Sequence, residues 1–216
     1  MFSVSLTNRQ ECFVKTDKLW ISDTVRRNSE VNEVLREFAE ENRIKGRNYN
    51  HLCLLAEETL GMIGQMLNVY DGQLWLEGTT AGYEIILEAS VHENHDGKDV
   101  LAASPEGFMA KVAMMMNCSY MFESIAEIPE DLADVLPDYM SYGMRESRES
   151  PAWAGRWSLS AYRYELMKRR EEKTSAKLAL EELGKSIVAQ LADEVTIGIH
   201  GHRIRLVISK RTHENI

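Results

Sequence analysis

At two places along this chain the spacing of apolar residues changes from every third or fourth position to every second position. This feature constrains the fold more than any other. Between residues 50 and 66 apolar side chains recur every three to four positions, and from 73 to 91 they alternate every second position. Near the C-terminus a helical stripe again precedes alternating stretches, at 195–199 and 203–208. Two units of this kind, each a helix followed by a hairpin, predict an α+β fold.

The other predicted elements complete a two-layer α/β sandwich, with helices packed on one face of a mixed sheet. Asn48 or Asn50 can cap the second helix. Residues 145–155 are predicted to form a loop, and residues 156–166 suit either a strand or the start of a helix. In chain order the pattern predicts a strand or small hairpin at 12–21, helices at 22–42 and 48–70, a hairpin at 73–91, helical stretches at 105–125 and 129–142, a helix at 171–193 and a hairpin at 195–208.

Composition and charge limit the partners of the chain. Its 216 residues include 34 acidic and 25 basic side chains, a formal net charge of -9. Nucleic acid and anionic membrane surfaces are both disfavoured, because such partners need clustered positive charge. No apolar run reaches the roughly 18 residues of a spanning helix, and the N-terminus lacks a basic region followed by an apolar block. We therefore predict a cytoplasmic protein with a single domain, residues 1–216.

The cysteines and histidines give no clear metal site. Cys12, Cys53 and Cys118 are odd in number and far apart, so they predict neither a disulfide framework nor a zinc site. The stretch 92–96 holds two histidines and two carboxylates, but it lacks the spacing of a helical His-Glu-x-x-His motif. A metal-dependent enzyme that uses this stretch is a remote third hypothesis, and we assign no metal ligands.

A helical segment then carries a resemblance to a known family. The run 54–60, Leu-Leu-Ala-Glu-Glu-Thr-Leu, resembles the N-box helix of the histidine-kinase-like (GHKL) ATPases, especially the anti-sigma-factor switch serine kinases. Residues 184–195 are similar to the segment that opens the closing helix and strands of those proteins, and the order of elements agrees. The resemblance covers residues 10–92 and 175–209. It implies that residues 93–170 are a helical insert in place of the ATP lid.

The resemblance assigns the catalytic position to one of two glutamates. The family uses a glutamate as general base and an asparagine one turn later to hold Mg²⁺. Glu58 is the better match to that glutamate, and Glu57 is the alternative. Met62 or Gly61, respectively, then stands at the asparagine position, and neither can ligate a hard cation.

The resemblance also implies ATP as the cofactor, with Met62, Gln65 and Gly184 at cofactor-binding positions. The family's Asp-x-Gly-x-Gly run after the second strand is missing, because the chain reads Ala-Ser-Val at 89–91. Gly184 alone does not supply the backbone donors of a phosphate-binding loop. The resemblance therefore implies the histidine-kinase-like ATPase fold. The missing motifs imply that catalysis is impaired.

Two functions from different classes follow. The first is an ATP-binding regulatory protein that resembles the anti-sigma-factor switch kinases and binds a sigma-factor or antagonist protein; if active, it is a serine protein kinase or ATPase. The alternative is a nucleotide-free pseudo-ATPase that acts as a protein-interaction module. The Met-rich stretch at 108–122 either forms a partner-binding groove or fills the core. Both functions leave a homodimer open.

Overall fold

The structure of the protein is a computed structural model that describes residues 14–22, 28–67, 70–79, 82–91, 144–145, 154–200 and 203–212. Predictions for 92–96, 105–125 and 129–142 lie outside these ranges. The described elements are β1 (Leu19–Ser22), α1 (Asn28–Glu41), α2 (Arg47–Met66), β2 (Tyr70–Thr79), β3 (Gly82–Val91), β4 (Met144–Arg145), β5 (Ala154–Ser158), α3 (Leu159–Arg169), α4 (Thr174–Leu183), α5 (Ile187–Leu191), β6 (Glu194–His200) and β7 (Arg203–Arg211).

The described strands form one sheet in the order β1-β2-β3-β7-β6-β5-β4. The α+β class and the two hairpins, β2–β3 and β6–β7, are confirmed. A mixed sheet was predicted, but every pairing among the described strands is antiparallel. The reason is that each hairpin is antiparallel by construction, and the two hairpins meet through β3 and β7, which also run in opposite directions.

The contact between the two hairpins is close at the start of β3. Gly82 is paired with Arg211 of β7. A side chain at Gly82 would collide with the backbone carbonyl of Lys210 and lie 2.8 Å from the Cα of Arg211. The close approach of the two backbones therefore requires glycine at this position.

The inner face of the sheet and the helices share one hydrophobic core. Alternation along each strand places its apolar side chains on this face, as the period of two predicts. The sheet contributes Tyr70, Leu74, Leu76, Tyr83, Ile85, Leu87, Ala89, Val195, Ile197, Ile204, Leu206 and Ile208. The helices contribute Leu35, Phe38, Leu52, Leu55, Ile63, Tyr162, Leu166, Ala176, Leu183 and Val188.

The outer face of the sheet is polar around one buried tryptophan. The Trp75 indole is 3% exposed, and its Nε1 donates to the Glu77 carboxylate at 2.7 Å. Lys18 Nζ lies 4.3 Å and Arg205 Cζ 5.8 Å from the centre of the ring. The cationic side chains therefore cover the indole face, a cation–π arrangement that keeps this surface polar.

The N-terminal segment pairs with β2 and forms no local hairpin in the described residues. The strand alternative predicted for 12–21 is confirmed by β1, which pairs with β2. Ahead of β1, Thr16 N–H donates to the Leu76 carbonyl at 3.0 Å, and Gly78 N–H donates to the Val14 carbonyl at 2.8 Å. This pairing satisfies backbone groups at the edge of β2, which a local hairpin would leave open.

The start of α2 differs from the predicted caps. The helix begins at Arg47, and Gly46 occupies the N-cap position with φ 56° and no side-chain hydrogen bond. Neither Asn48 nor Asn50 is the cap, because both lie inside the first turn. Gly46 supplies a backbone conformation with φ 56° and ψ -126°, which residues with a Cβ, asparagine included, rarely adopt.

The predicted helix at 171–193 is two helices. α4 ends at Leu183, and Ser186 caps a new helix, because its hydroxyl accepts a hydrogen bond from Ala189 N–H at 3.3 Å. Gly184 stands between them. Ile187 and Leu191 continue the apolar spacing of α4, so the pattern alone did not reveal the break.

The segment left open at 156–166 contains both alternatives. β5 ends at Ser158, whose side chain accepts from Ala161 N–H and caps α3. The Glu194 carboxylate accepts a second hydrogen bond, from Ser160 N–H at 3.1 Å. The loop predicted at 145–155 is wrong at its ends, since Arg145 belongs to β4 and β5 begins at Ala154.

Among the described helices, none combines the length and the apolar character needed to cross a membrane.

We expect Ser186→Ala to lower the free energy of unfolding by about 1 kcal/mol, because it removes the cap of α5. Urea unfolding followed by circular dichroism measures the change. Lys177→Ala on the exposed side of α4 is the control and should leave stability within roughly 0.5 kcal/mol. Equal stability of the Ser186 and Lys177 variants would contradict the capping role.

Candidate functional site

The C-terminal half of α2 lies at the end of the sheet where β3 ends. Helix α2 stops at Met66, shortly before Tyr70, and Tyr70 pairs with Val91, the last residue of β3. The apolar side of α2 packs in the core, and its flanks contact α1 and α5. The predicted catalytic position is therefore on the part of α2 nearest to the segment that follows β3.

Glu58 is the half-buried member of the glutamate pair. Burial of the carboxyl, and then the neighbouring charge of Glu57, raise the pKa of Glu58 above its ordinary value. Glu57 is exposed. A carboxylate with a raised pKa accepts a proton more readily, as a general base does. Burial thus favours Glu58 over Glu57 as the glutamate whose raised pKa suits a general base.

Met62 follows Glu58 by one turn and lies in the core. Its side chain is 8% exposed. Residues four apart share a helix face, so the structure brings Glu58 and Met62 together. A thioether is a soft ligand, whereas Mg²⁺ binds oxygen. Met62 therefore closes the position with an apolar group and offers no magnesium ligand.

The alternative register places Gly61 at the same position. A Cβ built on Gly61 has no atom within 4 Å. This position has space for a side chain, yet glycine supplies none. Neither register therefore provides the oxygen that Mg²⁺ requires.

Gly184 and Gln65 complete the predicted set. Gly184 is exposed and lies between α4 and α5; its N–H donates to the Leu180 carbonyl at 3.2 Å, and its carbonyl accepts from the Gln190 side chain. The N–H of Gly184 is thus engaged in ending α4. Gln65 belongs to α2, but its side chain lies outside the described part of the structure.

Helix α5 has a fixed place beside α2. Arg163 of α3 donates to the Ala189 carbonyl, and α5 contacts α2. Gly184 therefore lies in the link between α4 and α5, and α5 is the helix that contacts α2.

A polar cluster at the opposite end of α2 was missed by sequence reasoning. Tyr83 is 1% exposed, and its hydroxyl has no hydrogen-bond partner among the described residues. Burial raises the pKa of Tyr83, and so do Cys53 and Asp193. Asp193 forms an ion pair with Lys210 at 3.4 Å. The pairing of β3 with β7 places Tyr83 opposite Lys210 and so joins distant parts of the chain, which no local sequence signal could have revealed.

Cys53 belongs to the same cluster through α2. A hydrogen bond with Cys53 is the main cause that raises the pKa of Tyr49, followed by burial. Cys53 is a free, half-buried thiol. Within the ranges described, no three His, Cys, Asp or Glu side chains converge as they would around a metal ion.

Comparison with known proteins gave no significant match among protein-family models, curated proteins or solved structures. The functional argument therefore depends on the fold and on the residues of the site.

We expect Glu58→Gln to stabilise the protein at pH 7. The folded-state pKa of Glu58 is raised, so its stabilising contribution is complete below the unfolded value of about 4.5 and is lost as pH rises through the folded value. Above both values the ionised carboxyl costs stability that glutamine avoids. Urea unfolding at pH 4 and pH 7 should show a larger gain at pH 7.

Glu57→Gln is the matched control for this experiment. It removes a charge from an exposed neighbour and should give a smaller gain than Glu58→Gln. A gain from Glu58→Gln that is the same at both pH values would contradict the raised pKa.

Proposed function

We propose that this chain is a protein-interaction module built on a scaffold similar to the histidine-kinase-like ATPases, and that it works without Mg²⁺-ATP. The observation that carries the proposal is Met62, an apolar side chain buried one turn after Glu58. In the family that the sequence resembles, this position holds the magnesium ion. The α+β class agrees with this scaffold, whereas the antiparallel pairing of every described strand differs from the mixed sheet predicted for it.

The chemistry of the position supports a module without nucleotide. The charge of a triphosphate in such a site is balanced by Mg²⁺ and by backbone N–H donors. Met62 lacks an oxygen, and the N–H of Gly184 is already used at the end of α4. A bound triphosphate would therefore meet no cation and no free glycine N–H at these two positions.

The second candidate is an ATP-binding regulatory protein similar to the anti-sigma-factor switch kinases, with impaired catalysis. The half-buried carboxyl of Glu58 favours it, because a raised pKa suits a residue that accepts a proton from a serine hydroxyl. Such activity would make the chain a serine protein kinase or ATPase.

Both candidates imply a protein partner, and resemblance suggests a sigma-factor or antagonist protein in the cytoplasm. The net charge of -9 favours a partner with a basic surface over nucleic acid or an anionic membrane. In this proposal the replacement for the ATP lid lies within residues 93–170, of which residues 154–169 form strand β5 of the sheet and helix α3.

Calorimetric titration with ATP and ADP, with and without Mg²⁺, separates the two candidates. Protein concentrations should allow detection of a dissociation constant near 1 mM, or about -4 kcal/mol. We expect no binding that Mg²⁺ strengthens. Binding that Mg²⁺ tightens would contradict the nucleotide-free module and support the regulatory ATPase.

Met62→Asn tests the register directly, because it restores the family's oxygen ligand one turn after Glu58. We expect it to add weak Mg²⁺-dependent nucleotide binding in the same titration. Met167→Asn, on a residue of α3 that is 55% exposed, is the control and should add none.

Gly61→Asn tests the alternative register, in which Glu57 is the catalytic glutamate. It also provides a second variant in case Met62→Asn does not fold. The position has open space, so an asparagine there fits without displacing the core. Binding gained by Gly61→Asn and not by a folded Met62→Asn would show that Glu57, and not Glu58, occupies the catalytic position. No gain from either folded variant would argue against this assignment of the N-box, or would show that the missing Asp-x-Gly-x-Gly run and phosphate-binding loop prevent binding.

A further inference from the structure

His51 lies in the second turn of α2 and accepts a hydrogen bond from a side chain of the first turn. Arg47 Nε donates to His51 Nε2 at 3.3 Å. A neutral imidazole that accepts at Nε2 carries its hydrogen on Nδ1. His51 Nδ1 is buried and has no hydrogen-bond partner among the described residues. This geometry indicates a neutral ring in the Nδ1–H form.

The groups around His51 oppose a positive charge on it. Arg47 approaches from α2 itself, and Lys210 from β7; Lys210 is partly compensated by its ion pair with Asp193. On β3, Tyr83 pairs with Lys210 and is buried with a neutral hydroxyl. The N-terminus of a helix is also its positive end.

Burial and both neighbouring charges lower the pKa of His51. Burial is the largest cause that lowers the pKa of His51, followed by the charges of Arg47 and Lys210. Protonation would place a donor opposite the Arg47 donor and a third cation near Arg47 and Lys210. The hydrogen bond between the first and second turns of α2 would then be lost.

We propose that Arg47, His51 and Lys210 form a proton-sensitive switch, the His51 switch, which holds the first turn of α2 only while His51 is neutral. The bond that breaks on protonation is Arg47 Nε–H to His51 Nε2, and the incoming proton comes from solvent. The switch lies in the first two turns of α2, seven residues before Glu58, and it does not rest on the proposed function.

The sign of the pH effect follows from the lowered pKa. The contribution of neutral His51 to stability is fully present above the unfolded value of 6.5 and is lost as pH falls through the lower folded value. Mild acid, and not mild base, should therefore loosen the start of α2.

Nitrogen-detected NMR of the imidazole, assigned with His51→Gln, tests the switch. We expect a His51 pKa below 6.5 and the Nδ1–H form at pH 8. Arg47→Met should raise that pKa and shift the ring toward the Nε2–H form, while Lys210→Met should raise the pKa alone. Arg47 is exposed, so its variant should fold. Lys45→Met, an exposed residue just before α2, is the control and should change neither property.

A His51 pKa at or above 6.5, or an Nε2–H ring in the parent protein, would overturn the proposal. Thermal unfolding gives a second readout that a purely structural histidine would not produce. Glutamine can accept from Arg47 without titrating, so the parent should lose melting temperature relative to His51→Gln between pH 8 and pH 5. Parallel curves for the two proteins would also overturn the switch.

Discussion

The pairing of β3 with β7 is the interaction on which the rest of the structure depends. It joins the N-terminal helix and hairpin to the C-terminal ones across more than 110 residues of chain, with Gly82 opposite Arg211 and Ser90 opposite Arg203. Because the pairing places the apolar faces of both hairpins on the same side, α2 and α5 can share one core. The missing Cβ of Gly82 lets the two backbones approach.

This long-range pairing also limits what the sequence could predict. Helix α2 and both hairpins follow from local periodicity, which is encoded within about twenty residues. The antiparallel order of the whole sheet depends on β3 meeting β7, and no local pattern records that choice. The break at Gly184 was missed because the apolar spacing continues through Ile187. The Ser186 cap nevertheless starts a new helix there.

In the candidate site, too, some features follow from local sequence and others depend on long-range contacts. The sequence singled out Glu58 and Met62 because both lie on one helix, and helical geometry alone brings them together. The polar cluster of Cys53, Tyr83, Asp193 and Lys210 was invisible in the sequence because separate parts of the chain supply it. Helix α2 thus carries two different kinds of chemistry, a half-buried carboxyl with a raised pKa in its C-terminal half and an imidazole with a lowered pKa near its start.

The proposed function depends on the buried Met62, because an apolar side chain there offers no ligand for the magnesium ion that an ATPase of the resembled family would need. Methionine-methyl NMR, with the Met62 signal assigned by Met62→Leu, observes this side chain directly. We predict that its chemical shift stays unchanged when ATP and Mg²⁺ are added together. A saturable shift of the Met62 methyl that requires both ATP and Mg²⁺ would contradict the account.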